Sequence, residues 1–270
     1  MEKPDDTGRI SRRRRARQIV AARLERLEDL SIGKLVPSTI TLLALASGTT
    51  AIRFGLGGEW ATAVTFVIAA MILDMLDGRA ARMLGADSRF GAQLDSLADL
   101  VSFGVAPGII MYMWTLHEMG NAGWIAALIF CACAAIRLAR FNVESVRDEG
   151  ATKGNPYFTG LPTPAAACMV LLPMLISFEW SDPVVREPWV SGIFIAVTSA
   201  LMVSRVPTPS IKYMKLQRQH RYLAALAFAI LAGLLITWPW ATLTIGLLIY
   251  VASIPFAVVA HHPRLAKQTP

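Results

Sequence analysis

Residues 60 to 99 read WATAVTFVIAAMILDMLDGRAARMLGADSRFGAQLDSLAD. The run from 60 to 73 carries no charge, and the first carboxylate follows directly at Asp74. An apolar run that continues into a helix of about 20 residues is typical of a membrane span. Acidic side chains and arginines follow at the end of this run. The stretch therefore predicts a spanning helix that brings carboxylates to one boundary of a membrane.

The composition of the whole chain agrees with a membrane protein. Of its 270 residues, 54% are hydrophobic and 17% are charged, whereas soluble domains contain about 25% charged residues. The charges are clustered between long neutral runs. This pattern predicts an all-α integral membrane protein and excludes soluble, disordered and collagen-like classes.

Eight membrane spans are predicted from the apolar runs. The last two form a helical hairpin, because the final uncharged run is too long for one span and TWPW at 237–240 supplies a turn. The runs are 35–52, 60–73, about 91–116, 119–136, 161–178 and 188–204, with the hairpin inside 222–260.

The chain divides into three predicted parts: a tail over 1–34, a transmembrane core over 35–212 and a C-terminal hairpin with a short tail over 213–270. The tail contains the basic run RRRRAR at 12–17. Beside a membrane span, this run predicts contact with anionic lipid headgroups rather than with nucleic acid. The apolar spacing that follows predicts an interfacial amphipathic helix, with Val20, Leu24, Leu27 and Ile32 on one face.

Basic residues also predict the orientation. If the N-terminus is cytoplasmic, all of the 26 Lys and Arg residues except Arg53 and Arg186 fall in cytoplasmic segments. Cytoplasmic segments carry the excess of Lys and Arg in membrane proteins. With an even number of spans, both termini are predicted to be cytoplasmic, and so is the boundary that carries the carboxylates.

The end of the second span presents one polar face. Asp74 and Asp77 are three residues apart and share a side of a helix. Gly78, Ala81 and Arg82 fall on the same side. This face offers two carboxylates, a planar cation suited to phosphate and small residues that let a ligand approach the backbone.

The third span begins with a second stripe. Gly91, Asp95 and Asp99 recur every four residues, and a short turn lets this stripe face the first. Four carboxylates placed together require a cation among them, and ligand sets made only of oxygen favour hard ions such as Mg²⁺ or Mn²⁺. Two such ions would suit phosphoryl chemistry. The alternative is an ion-coupled transporter, although a transporter site is expected near the midplane rather than at a boundary.

This pattern resembles the signature of the CDP-alcohol phosphatidyltransferases, integral membrane enzymes that replace the CMP of a CDP-linked lipid with an alcohol, using divalent metal. The resemblance implies that Asp74, Asp77, Asp95 and Asp99 bind two metal ions, that Asp99 is also the base, and that the enzyme is a homodimer. It also implies a binding site for the CDP-linked lipid. The residues of this site are Gly78, Ala81, Arg82 and Gly91 in the signature, together with Thr41 in the segment PSTIT at 37–41.

Three further stretches resemble bacterial membrane-spanning phosphatidylserine synthases: RLARFN at 137–142, GLPTPAAA at 160–167 and SRVPTPSIK at 204–212. This resemblance implies CDP-diacylglycerol and L-serine as substrates, phosphatidylserine and CMP as products, and a bacterial inner membrane location. Arg137 and Arg140 could hold a phosphate or the serine carboxylate, and Asn142 could hydrogen-bond the amino acid. Glycerol 3-phosphate, choline and inositol phosphate stay open as other acceptors.

Overall fold

The computed structural model describes residues 32–85, 88–148, 157–180, 183–204, 207–209 and 221–265. The basic run and nearly all of the predicted interfacial helix lie outside these residues. The described elements, in chain order, are α1 Ile32–Leu56, α2 Trp60–Leu84, α3 Arg89–Asp99, a π-helical segment Leu100–Val105, α4 Ala106–Trp114, a 3₁₀ turn Leu116–Met119, α5 Asn121–Asp148, β1 Tyr157–Thr159, α6 Thr163–Val170, α7 Leu172–Glu179, a 3₁₀ turn Pro183–Arg186, α8 Pro188–Val203, β2 Pro207–Pro209, α9 Arg221–Thr237 and α10 Pro239–Leu265.

Four helices of the described part are long and apolar enough to cross a membrane. They are Val36–Leu56, Trp60–Leu84, Phe90–Trp114 and Asn121–Glu144, and the third runs through α3, the π-helical segment and α4. The first four predicted spans are therefore confirmed as apolar helices of spanning length. Eight spans stay a prediction.

The later apolar runs form shorter helices. The predicted fifth span, 161–178, contains two eight-residue helices, α6 and α7, that meet at Leu171. Pro173 lies at the start of α7, where its ring removes a backbone donor and disfavours continuation of the preceding helix. The turn predicted at 237–240 coincides with the break between α9 and α10.

The helices form a bundle around an apolar core. Helix α1 packs along α2, α5 packs against α8, and α7 packs against α10. Their contacts bury the side chains of Val64, Val67, Phe103, Phe130 and Met174. Burial of this kind, together with close packing, stabilises the fold.

Helix α1 approaches the π-helical segment closely, just beyond the second carboxylate stripe. A Cβ atom at Gly48 would lie 2.7 Å from Ser102 Cα, so this position requires glycine. The Ser102 hydroxyl donates a hydrogen bond to the Ala44 carbonyl at 3.2 Å. The third span is thereby fixed against α1 immediately after Asp99.

A short antiparallel strand pair is added to the helical architecture. Strand β1 pairs with β2, and Tyr157 lies opposite Pro209 while Thr159 lies opposite Pro207. The segments after α5 and α8 supply this pair. It joins the segment before α6 to the segment after α8.

Candidate active site

Three carboxylates meet where α2 and α3 face each other. One oxygen each of Asp74, Asp95 and Asp99 lies within 4.8 Å of the other two. All three residues are half-buried, so water screens their mutual repulsion only in part. An oxygen-only donor set of this charge fits a hard divalent cation. The structure thus brings together three of the four aspartates that the sequence singled out.

Asp77 lies outside this group of three and is held from α1. The Thr41 hydroxyl donates a 2.6 Å hydrogen bond to Asp77 Oδ2, and both side chains are buried. The same hydroxyl lies 3.0 Å from the Pro37 carbonyl oxygen. Thr41 therefore orients a carboxylate in this structure, and a role of Asp77 as a metal ligand stays a prediction.

A cleft of about 320 Å³ opens beside the carboxylates. A Cβ atom added to Gly78 would have no neighbour within 4 Å, which leaves the α2 backbone accessible there. The exposed Arg82 side chain folds back on this turn and donates from Nε to the Gly78 carbonyl at 2.9 Å. The cleft is lined by Pro37, Ser38, Thr41, Asp77, Gly78, Ala81, Arg82, Ser88, Gly91, Ala92 and Asp95.

All five residues predicted to contact the CDP-linked lipid line this one cleft: Thr41, Gly78, Ala81, Arg82 and Gly91. They come from α1, α2 and α3, and the cleft also reaches Asp77 and Asp95. Whether they bind the lipid stays a prediction. Their common position shows that one cleft reaches both carboxylate stripes.

Helix α3 begins at the cleft. Ser88 caps it, since its hydroxyl accepts a hydrogen bond from the Gly91 N–H at 2.9 Å. A helix N-terminus carries unpaired N–H groups and favours negative charge, including phosphate. The sequence reasoning did not single out Ser88, although a serine directly before a helix is a common cap.

The predicted acceptor residues on α5 contact other elements. Arg137 is buried and donates from Nε to the Leu161 carbonyl at 3.2 Å. Arg140 is exposed and donates from Nη1 to the Val203 carbonyl at 2.7 Å. These bonds tie α5 to the segments that precede α6 and end α8. The serine pocket stays a prediction.

Asn142, the third predicted acceptor residue, contacts the carboxylate helix. Its Nδ2 donates to Ser96 Oγ at 2.9 Å, and Ser96 lies on α3 between Asp95 and Asp99. The sequence reasoning missed Ser96, because a serine inside a helix gives no signal of a partner 46 residues away.

Comparison with protein families agrees with this arrangement. Residues 34–204 match the family model described as CDP-alcohol phosphatidyltransferase, and this range contains all four aspartates. The chain belongs to this family. Residues 220–255 match a second model, described as CDP-alcohol phosphatidyltransferase 2, which covers α9 and part of α10.

Several similar proteins carry the name CDP-diacylglycerol–serine O-phosphatidyltransferase. The Mycobacterium leprae protein is 35% identical over 238 residues, which are 86% of this chain and 78% of that protein. The Bacillus subtilis protein is 36% identical over 178 residues, 66% of this chain and 91% of its own length. The Methanocaldococcus jannaschii protein is 33% identical over 181 residues, 66% and 77% of the two chains. Family membership and the four long apolar helices make this chain a membrane enzyme.

Proposed function

We propose that this protein transfers the phosphatidyl group of CDP-diacylglycerol to the hydroxyl of L-serine, with phosphatidylserine and CMP as products. The three-carboxylate cluster at the cleft carries the proposal. The names of the relatives support the choice of substrates.

The donor lipid binds with its diphosphate in the cleft. Gly78 and Ala81 leave the α2 backbone accessible, and Gly91 lies in the first turn of α3, where N–H groups attract anions. The Arg82 guanidinium supplies a planar cation for a phosphate oxygen. The acyl chains extend from the cleft into the apolar part of the bilayer.

Asp74, Asp77, Asp95 and Asp99 hold two divalent ions, Mg²⁺ or Mn²⁺. One oxygen each of Asp74, Asp95 and Asp99 lies within 4.8 Å of the other two, and oxygen donors would suit these ions. When bound, these ions supply positive charge that neutralises the attacked phosphoryl group and the leaving CMP.

Asp99 accepts the proton of the serine hydroxyl as the hydroxyl oxygen attacks the phosphorus of the phosphatidyl group. A bond forms between this oxygen and the phosphorus of the phosphatidyl group, while the bond from that phosphorus to the CMP oxygen breaks. Asp99 lies one turn beyond Asp95 at the end of the α3 stripe, where it would hold a metal ion and accept the proton of an incoming alcohol. Proton transfer to a positioned carboxylate typically accelerates a reaction by about 10² to 10⁴.

The acceptor pocket lies at the end of α5, where Arg137 and Arg140 bind the serine carboxylate. Both arginines also bond to backbone carbonyls, which leaves other guanidinium N–H groups for a ligand, since each guanidinium has five donors.

The reaction takes place at the cytoplasmic face of a bacterial inner membrane. The positions of the basic residues support this orientation. Both termini are cytoplasmic, and the tail over 1–34 contacts anionic headgroups. The transmembrane core over 35–212 carries catalysis, and the segment over 213–270 forms a C-terminal hairpin with a short tail. The enzyme works as a homodimer.

The test uses the purified full chain in detergent with CDP-diacylglycerol, Mg²⁺ or Mn²⁺, and a panel of alcohols. We expect CMP release with L-serine and formation of phosphatidylserine by mass spectrometry. The panel includes glycerol 3-phosphate, inositol phosphate and choline. If the enzyme prefers one of these alcohols to L-serine, that alcohol is the acceptor. Ion flux in proteoliposomes without CMP release would contradict the enzymatic function itself.

A further inference from the structure

A pair of side chains links the carboxylate helix α3 to α5. Asn142 Nδ2 donates to Ser96 Oγ at 2.9 Å, and the two side chains are half-buried. The Ser96 hydroxyl proton has two acceptors within reach, Asn142 Oδ1 at 3.1 Å and the Ala92 carbonyl at 3.0 Å. The amide therefore contacts α3 at Ser96.

This point lies within the carboxylate stripe. Ser96 follows Asp95 directly and precedes Asp99 by three residues, so its Oγ flanks the face that both carboxylates share. A rotation of α3 about its axis that moved Ser96 away from Asn142 would also turn Asp95 and Asp99 relative to Asp74. The hydrogen bond thus restrains the rotation of α3.

Asn142 is itself well anchored. Two residues before it, Arg140 bonds to the Val203 carbonyl, and five residues before it, Arg137 bonds to the Leu161 carbonyl. Helix α5 also packs against α8 and against the π-helical segment. Ser96 and Asn142 thus link α3, which also packs against α1, to the helices of the second half of the bundle.

We propose that Asn142 is a positioning residue: through Ser96 it holds Asp95 and Asp99 in register with Asp74, so that divalent cations bind in the absence of any acceptor. This role deepens the proposed function on which it rests, and it differs from direct contact with serine. If Asn142 has this role, then replacing Asn142 and replacing Ser96 should lower the metal affinity equally, because both changes remove the same hydrogen bond.

The experiment measures Mn²⁺ binding to the purified full chain, without lipid or serine, from the loss of the electron paramagnetic resonance signal of free Mn²⁺. Asn142→Ala and Ser96→Ala should each weaken binding by roughly tenfold, since groups that orient metal ligands contribute about 10- to 100-fold to affinity. The double variant should be no weaker than either single variant, because both changes break one link. Ser96→Thr, which keeps the hydroxyl, should bind nearly as the unchanged chain does.

Ser191→Ala is the matched control. It removes another side-chain hydrogen bond between separate elements, at 2.7 Å to Thr115, far along the chain from the carboxylates. It should leave the Mn²⁺ affinity unchanged. Size-exclusion profiles identify any variant that has not folded. If Ser96→Ala does not fold, Ser96→Thr still tests the role of the hydroxyl, because it keeps this group.

Serine kinetics at saturating Mn²⁺ separate the two roles of Asn142. For a positioning residue, Asn142→Ala leaves the serine KM unchanged. A raised serine KM together with unchanged Mn²⁺ affinity would overturn the proposal, and so would additive effects of the two alanine variants. If no phosphatidylserine forms with the unchanged chain, the proposed function falls, yet the Mn²⁺ titrations still decide the positioning role.

Discussion

Thr41 on α1 and Asp77 on α2 are joined by a 2.6 Å hydrogen bond between the threonine hydroxyl and the carboxylate, at positions that are 5% and 4% exposed. Buried carboxylates need hydrogen-bond donors to offset the loss of water. The first helix therefore takes part in the carboxylate site, because it supplies this donor to one oxygen of Asp77.

Thr41→Val should destabilise the protein. The change removes the donor with little change in shape, and a hydrogen bond to a charged group contributes about 1.5 to 3 kcal/mol. Thermal unfolding in detergent should show a lower midpoint, and CMP release should fall. Thr41→Ser should restore both. Thr49→Val is the control, since the exposed Thr49 bonds only to carbonyls of its own helix in the described part of the chain. An unfolding midpoint equal to that of the unchanged protein would contradict this reading of the contact.

Removal of divalent metal should abolish turnover. Asp74→Asn and Asp95→Asn each take one negative charge from the cluster of close oxygens, and Asp77→Asn tests the fourth aspartate. We expect near-background CMP release for all three and for the unchanged protein in excess EDTA, with activity restored by Mg²⁺ or Mn²⁺. Glu59→Gln, in the turn between α1 and α2, is the control for loss of an acidic group. Substantial turnover in EDTA would eliminate the metal site.

The sequence could predict the helices and the pairing of the two stripes, because both follow from short-range rules. Spanning length and the spacing of Asp74, Asp95 and Asp99 define a face on each helix, and a short turn makes the faces meet. The direction of an individual side chain could not be predicted from this spacing. Asp77 shares a face with Asp74 by spacing, yet its carboxylate bonds to a residue on α1.

Contacts between distant segments could not be predicted. The guanidinium of Arg137 bonds to the Leu161 carbonyl, and Asn142 bonds to Ser96, across 24 and 46 residues. No local periodicity encodes such pairs, since they depend on how complete helices pack. Pro173 predicts the break between α6 and α7, because proline disfavours continuation of the preceding helix. Hydropathy alone does not show this break, so it predicts the two helices as one span.

Asp99→Asn should separate chemistry from binding. The amide has nearly the shape of the carboxylate but cannot take the serine proton, so kcat should fall by about 10² to 10⁴. Binding of CDP-diacylglycerol, measured by calorimetry with Mn²⁺ present, should be largely retained. If Asp99→Asn keeps a near-normal kcat, Asp99 is not the base. If Asp99→Asn no longer binds the lipid, Asp99 acts chiefly as a metal ligand.

Arg137→Ala and Arg140→Ala should raise the KM for serine, as expected for lost ground-state binding of its carboxylate. Arg137→Ala should in addition lower the unfolding midpoint, because the buried Leu161 carbonyl loses its donor. Arg140 is exposed, so its replacement should cost less stability. Steady-state kinetics over a serine series, with unfolding scans of the same samples, measure both effects. If both variants keep the serine KM of the unchanged protein, the acceptor pocket lies elsewhere.

The orientation of the spans can be tested with single cysteines in a chain that lacks Cys131, Cys133 and Cys168. Leu84 ends α2 and is exposed, so Leu84→Cys should react with an impermeant thiol reagent only from the cytoplasmic side. Gly57 follows α1 and is exposed at the other end of the same helix pair, so Gly57→Cys should react only from outside.

Trp238→Cys tests the position of the C-terminal hairpin in the eight-span topology. Trp238 is exposed at the break between α9 and α10. With eight spans and a cytoplasmic N-terminus, this break lies on the outer side, and labelling should follow that of Gly57→Cys. Labelling together with Leu84→Cys would instead place this break on the cytoplasmic side, and the eight-span topology would be wrong. Since the carboxylates of α2 lie within three turns of Leu84, the same experiment places the active site on one side of the membrane. External labelling of Leu84→Cys would put it away from cytoplasmic serine and contradict the proposed location.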